Sequence, residues 1–303
     1  MNKSILYVKG ENGFRTAAYI IVGILSVIAF LPILLIIIAS FTEENVLVAN
    51  GYSYFPAQFS IFAYQYLTDQ LSTIARAYGI SIIVTLLGTV MSIMLTTMIA
   101  FPLSRKDFKA RNIISFIIFF TMLFNGGVVS SYIMWTRFFH VTNTIWALIF
   151  PNYMVTAFNV FMVRNYYSTS VPYDIIEAAK IDGATEAKIY FSLMLPLSKP
   201  VVATIALFTG LLYWNDWTNS IYYITKPLMY SIQYYLMVLM QDIQFLQSGN
   251  AASVGVTASL SSQMPATAIR MALAVIGILP VIVAFPFFQK HIVKGVVMGA
   301  VKG

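Results

Sequence analysis

Asp174, Glu177, Asp182 and Glu186, interleaved with Lys180, Lys188 and Lys199, bring four acids and three lysines into one stretch of a chain that otherwise avoids charge. Such side chains can transfer protons, ligate metals, or pair with charges on another surface. Covalent catalysis needs a nucleophile with an adjacent base. The chain has no cysteine, and its two histidines, His140 and His291, lie elsewhere and form no HExxH pattern. Thiolate and histidine metal centres, disulfides and a cysteine nucleophile are therefore excluded as readings. Charge-paired contact with a partner is another use of such a stretch.

Local signals shape this stretch into a presented element. Ser170-Val171-Pro172 reads as a helix opening, with a capping oxygen followed by a proline in the first turn. Asp174 and Glu177 then fall early in the helix, where its dipole favours negative charge. Ile175, Ala178 and Ala179 are expected on one thin face. Asp182-Gly183 interrupts the helix, because glycine takes backbone angles that other residues resist. A second helix is predicted from near Thr185 to Leu195, with Pro196 and Pro200 marking the return to apolar sequence. A solvated connector is the plainer reading. Connections in compact structures are usually about 4–6 residues, and this one runs over 164–199.

The surroundings define what must hold it. Hydrophobic residues make up 59% of the 303 residues and charged ones 10%, against about 25% charged in soluble domains. Six charge-free apolar stretches predict an all-α, polytopic membrane protein with spans near 17–41, 78–103, 112–135, 143–163, 200–223 and 270–289. Each approaches the roughly 20 apolar residues that cross a bilayer, where only helices and closed barrels satisfy the backbone. The whole of 1–303 reads as one transmembrane domain. The first apolar run is kept as a span rather than a cleaved signal, being too long for one. Residues 45–68 read as an aromatic loop, Pro227–Gln241 as an interfacial or re-entrant helix, and Ile243–Ile269 as a polar part of an outer loop at 224–268.

Alternating six spans from an inside N-terminus puts 14 Lys and Arg inside and 4 outside, while acids divide 6 to 5. This is the positive-inside bias of cytoplasmic loops, so the net charge of +7 is topogenic and does not indicate a nucleic-acid partner. Both termini and the 164–199 loop are then cytoplasmic. Asp216 is the only acid within or bordering a span, a functional candidate or a boundary residue in water. Trp214, Asn215, Trp217 and Tyr222 adjoin it, as sugar-facing candidates or as an interfacial belt.

The segment EAAKIDGATEAKIYFSLMLPL resembles the EAA loop of permease subunits of ATP-binding-cassette (ABC) importers, carried here by Glu177, Ala178, Ala179, Gly183 and the Leu193–Pro196 end. YWNDWTNSIYYI and the C-terminal FQKHIVKGVVMGAVKG are similar to carbohydrate-importer permeases related to the second membrane subunit of the maltose transporter. FNGGVVSSYI resembles a pattern of complex-oligosaccharide importers, with Ser130 where proline is usual.

The resemblance implies a type I importer fold and a coupling helix that enters a groove on an ATPase subunit. It assigns coupling to Glu177, Ala178, Ala179, Asp182, Gly183 and Pro196, with Glu177 as charge partner of an arginine on the ATPase. It implies that Gly299, Val301, Lys302 and Gly303 reach the ATPases, where the plainer reading is a frayed end. Its partners are a second, homologous permease, two ATP-binding subunits and an extracellular solute-binding lipoprotein, all at the bacterial plasma membrane. ATP and Mg belong on those subunits, because this chain has no G-x-x-x-x-G-K-[ST] and no cofactor of its own is expected. The solute is a sugar or oligosaccharide, with a polyamine or peptide as the alternative. Two other classes do less well. An intramembrane enzyme lacks its nucleophile–base pair, and an ion-coupled carrier lacks acids or histidines midway through its spans.

Overall fold

The computed structural model describes residues 11–247 and 266–300, and the side chains of 13–246 and 266–286 among them. The described residues are almost wholly helical, with one isolated bridge between Thr42 and Phe59. Contacts divide the chain into a smaller unit, reaching to Gln70 and including Met240–Ile278, and a larger one of Leu71–Leu239 with the segment from Leu279 onward.

In the smaller unit, α1 (Glu11–Ser40) precedes two short helices, α2 (Glu44–Asn50) and α3 (Phe62–Thr68). The region expected to be an aromatic loop thus contains helix. It is pinned by Ser40 against Tyr64 at 2.8 Å and by stacking of Phe41 on Tyr64. Glu44 accepts hydrogen bonds at 2.8 Å from the backbone N–H groups of Thr267 and Ala268. It thereby caps the first turn of the final helix (Ala266–Ala300), where donors are otherwise unpaired.

In the larger unit the axis is α4 (Leu71–Ser104), a 34-residue apolar helix. It is followed by α5 (Arg111–Leu123), α6 (Gly127–Ile133) with a π-helical extension at Met134–Phe138, α7 (Trp146–Ile149) and α8 (Ala157–Ser170). Next come α9 (Tyr173–Ile181) and α10 (Glu186–Ile189), then a π turn at Tyr190–Met194 and α11 (Leu195–Leu197). The unit continues through α12 (Lys199–Trp214) and α13 (Thr218–Tyr223), and α14 (Ile232–Gln247) begins in it.

Helix α4 packs on α12 and α8. Where membrane helices meet, small residues let backbones approach. A Cβ on Gly88 would lie 2.6 Å from the ring of Tyr213, so the α4–α12 contact requires glycine there. Tyr213 is buried and donates to the Ile149 carbonyl at 2.8 Å. Two apolar clusters result. One gathers Phe101, Val163, Ile176, Ile189 and Met194 at the α9–α10 end, and the other gathers Val84, Leu148, Ile149, Tyr213 and Tyr223 at the opposite end.

Among the described residues, three helices are long and apolar enough to cross a membrane singly: Gly13–Ser40, Leu71–Ser104 and Ala266–Pro286. The continuous helices expected over 112–135, 143–163 and 200–223 are each interrupted. The first bends by 114° between Leu123 and Gly127, where Gly127 has φ +80° and the Asn125 side chain accepts its N–H at 2.8 Å. The second breaks between Ile149 and Ala157 at Pro151 and Asn152, the latter with φ +70°. The third breaks at Asn215–Trp217. Apolar periodicity gives length; it does not register Asn and Asp side chains that compete for the backbone. Pro227–Gln241 is a 3₁₀ turn (Pro227–Met229) followed by the start of α14, and Ile243–Gln247 and Ala266–Ile269 are helical rather than loop.

Candidate functional site: a presented helix and a cleft at broken helices

The charged stretch folds as two short helices about a tight turn. Pro172 occupies the N-cap position of α9, with φ −60° and ψ 132°. Ser170, expected as the cap, is instead the last residue of α8. Gly183 has φ +74°, the left-handed geometry that closes α9, and the Ala184 N–H bonds the Ala179 carbonyl at 2.9 Å. Thr185 then caps α10, its hydroxyl accepting from the Lys188 N–H at 3.3 Å. Pro196 has no N–H to continue an α ladder. The preceding turn is π-helical, with the Leu195 N–H reaching the Tyr190 carbonyl, and the chain swings by 79° into α12.

This geometry divides the EAA residues. Glu177, Ala178, Asp182, Gly183 and Pro196 are exposed, whereas Ala179 packs against the apolar cluster beside buried Ile176. Ala178 and Ala179 therefore do not share the one thin face expected for them with Ile175, because neighbours on a helix diverge by about 100°. The presented stripe is Asp174, Glu177, Ala178 and Ile181, at i, i+3, i+4 and i+7. Ile181 is 85% exposed and was not singled out from sequence, though an isoleucine at that spacing on a charged helix was the available signal.

The loop is anchored by charge. Arg105, just beyond α4, donates from Nε to Asp107 at 3.0 Å and from its terminal nitrogens to Asp107 and Glu186. Lys180 lies 3.1 Å from Asp107 and 3.8 Å from Glu186. Lys180 and Glu186 flank the Gly183 turn, so the four side chains form a closed ring of alternating sign. The Arg105 side chain is 7% exposed. Its hydrogen bonds hold the Asp107 carboxyl well below the usual carboxylate range, helped by Lys180. The bond to Asp107 likewise raises Arg105. Sequence reading used Arg105 only for topology and gave Asp107 no role; a mixed-sign cluster ending an apolar run was the signal.

At the far end the broken helices face each other. Asn152 donates to Asn219 at 2.9 Å, and Asn219 donates to the Pro151 carbonyl at 3.3 Å. Asp216 Oδ1 accepts from the Thr218 hydroxyl at 2.7 Å, from the Thr218 and Asn219 N–H groups at 3.1 and 3.3 Å, and from Tyr153 at 3.4 Å. Asp216 is thus buried and caps α13, neither in water nor open to a solute. Trp214 is buried too, while Asn215, Trp217 and Tyr222 are exposed. Beside this break lies a cleft of about 560 Å³ whose walls include Tyr153, Thr156, Phe158, Asn159, Phe208 and Asn215. Phe158 and Phe208 are 60% and 45% exposed, so aromatic faces share the wall with the exposed Asn215, while Asn159 is buried and donates to Thr209 at 3.2 Å. Of the expected pathway residues only Asn215 reaches it. Gly299 lies in the final helix, and Val301, Lys302 and Gly303 lie outside the described residues.

A long apolar helical core, interrupted helices and an outward-turned EAA helix define a membrane component of an importer. The chain belongs to the family described as binding-protein-dependent transport system inner membrane component, which it matches over residues 88–298. It is 34% identical over 278 residues to the polygalacturonan/rhamnogalacturonan transport system permease protein YtcP of Bacillus subtilis, covering 92% of this chain and 94% of that one. It is 35% identical over 295 residues to Protein LplC of the same organism, covering 97% of each. A chain in the crystal structure of a bacterial ABC transporter involved in the import of the acidic polysaccharide alginate superposes with a TM-score of 0.76. That chain is 26% identical, over 95% of this chain and 99% of its own length.

Proposed function

We propose that this chain forms half of the path by which an ABC importer takes up a sugar or oligosaccharide handed over by an extracellular binding protein. The observation that carries the reading is the exposed stripe Asp174–Glu177–Ala178–Ile181 on a helix anchored from behind by charge. An acidic residue beside a small one and an apolar tip suits a basic, partly apolar groove on an ATPase. ATP and Mg are then held by the partner subunits, and closure of those subunits pushes on α9. Glu177 pairs with a cation there, Ala178 allows close approach, and Gly183 sets the turn. In this reading Ala179 and Pro196 shape the loop from within. The resemblance assigns Gly299, Val301, Lys302 and Gly303 a contact with the ATPases.

Six spans fit this arrangement when the bent pair over 111–138 counts as one and the interrupted stretches near 143–163 and 200–223 count as two more. Both termini and the α9–α10 loop are then cytoplasmic. Non-helical backbone at membrane depth is tolerated where it is buried in protein or lines a cavity, and the breaks near Tyr153 and at Asn215 adjoin the 560 Å³ cleft. Aromatic faces at Phe158 and Phe208 with the exposed Asn215 amide suit a glycan's CH faces and hydroxyls. A homologous permease supplies the other half. The named relatives' polygalacturonan and alginate support a carbohydrate over a polyamine or peptide.

The test is co-expression of this chain with its chromosomal neighbours, followed by purification through it; the partners sought are an ATPase and a second permease. Wild type should retain both partners. Glu177→Ala combined with Gly183→Pro should keep the permease and lose the ATPase. Equal retention by the double variant would remove α9 as the docking element. For the solute, tritiated oligogalacturonide and tritiated spermidine are offered to vesicles holding the whole complex, and accumulation of spermidine alone would overturn the carbohydrate assignment.

A further inference from the structure

The side chains joining α4 to the loop form a register. Thr97, Phe101 and Arg105 lie four residues apart, one stripe running down α4 and just past its end. Glu186 and Tyr190 form a matching pair at the same spacing in α10 and the π turn. Thr97 Oγ1 meets Tyr190 Oη at 2.7 Å in a buried bond. Phe101 packs on Tyr190 with ring centroids 5.7 Å apart. Arg105 lies over the Phe101 ring at 5.7 Å and bonds Glu186. The ring of Arg105, Asp107, Lys180 and Glu186 then closes around the α9–α10 turn.

From this register we infer that α4 is the helix that receives the stroke of the docking loop, with Arg105 as the positioning residue that joins loop and helix into one rigid lever. The inference rests on the docking reading above and goes beyond it by naming the receiving element. Three kinds of contact, a buried hydroxyl pair, an aromatic pair and an ion-pair ring, hold the same two elements. A push on α9 therefore has little slack to take up before α4 moves. Arg105 suits this role because its planar guanidinium can engage two carboxylates at once, which a lysine ammonium cannot do with the same geometry. Arg164 and Ser168 tie the end of α8 to α4 through the carbonyls of Leu103 and Ser104, at 3.1 and 3.3 Å, but make no such contact with the loop.

The experiment uses the assembled transporter in lipid nanodiscs. The chain has no cysteine, so paired cysteines at Lys188 and Met94, both exposed and outside the docking stripe, give this chain two unique spin-label sites. The distance between them is measured without nucleotide and after trapping with ATP and vanadate. A rigid lever gives one narrow distribution in both states. Arg105→Gln should retain the ATPase yet lose that single distribution on trapping, and Arg105→Lys should recover part of it. Two results would overturn the inference: a wild-type distance that changes on trapping, or an Arg105→Gln distribution identical to wild type. If wild type does not retain the ATPase, the docking reading itself fails and the lever falls with it.

Discussion

At one end of α4, Arg105 and Asp107 meet Lys180 and Glu186 through ionised groups that are partly open to solvent. At the other, Ser81 accepts the Ile232 N–H at 2.8 Å, Ser220 pairs with Ser231 at 2.9 Å, and Asn152 pairs with Asn219, with Asp216 the one ionisable group among them. The first end is held by charge at a boundary with water, where ions keep much of their hydration. The second is held by neutral dipoles, because a charge removed from water must be repaid by several partners. Asp216 has four donors on one oxygen for that reason. Charge thus fastens the loop proposed to meet a partner, and amides and hydroxyls fasten the part where helices break inside the chain.

The contrast can be broken in order of effect. Gly88→Val places methyl groups into the Tyr213 ring and should cost about 3 kcal/mol, the upper end for overpacking, read as a large fall in thermal midpoint in detergent. Asn219→Leu leaves the Asn152 amide and the Pro151 carbonyl unpaired and should cost about 2 kcal/mol, with no dependence on salt. Glu186→Gln should cost only about 0.2–1 kcal/mol, and the difference from wild type should shrink in high salt. An Asn219→Leu loss that faded with salt would erase the distinction between the two ends. Acid sharpens it further. Asp107 has a depressed pKa, so its contribution is complete above about pH 4, the ordinary carboxylate value, and is lost only as pH falls below that. Thermal midpoints of wild type and Asp107→Asn should therefore differ by the same amount at pH 8 and pH 5, and a difference that vanished by pH 5 would contradict the ring geometry.

The loop was legible because its signals are local. Gly183 demanded a turn and Thr185 a helix start, and each did what its covalent structure dictates; Pro196 did not end the helical path, which runs on to Leu197 before bending at Ser198. The membrane class followed from hydropathy for the same reason. What stayed hidden was pairing across distance. Arg105 and Glu186 are far apart in sequence, and no periodicity links them. The breaks were hidden differently. Asn152 and Asn219 are ordinary polar residues in apolar runs until each is seen to satisfy the other, so 143–163 and 200–223 read as unbroken helices. Ser170 misled because α8 ran on for about two turns beyond the expected boundary at 163, leaving Pro172 to take the cap.

Ile181 remains to be accounted for at the tip of α9, 85% exposed and outside the apolar spans. An aliphatic side chain held at an aqueous tip is stable in company and adhesive when alone. On the docking reading, a cell that made this subunit in excess of its ATPase would accumulate uncovered tips, each able to stick to other chains or to be recognised by proteases that patrol for such surfaces. The residue that fits the machine together would then also set how evenly its parts must be made.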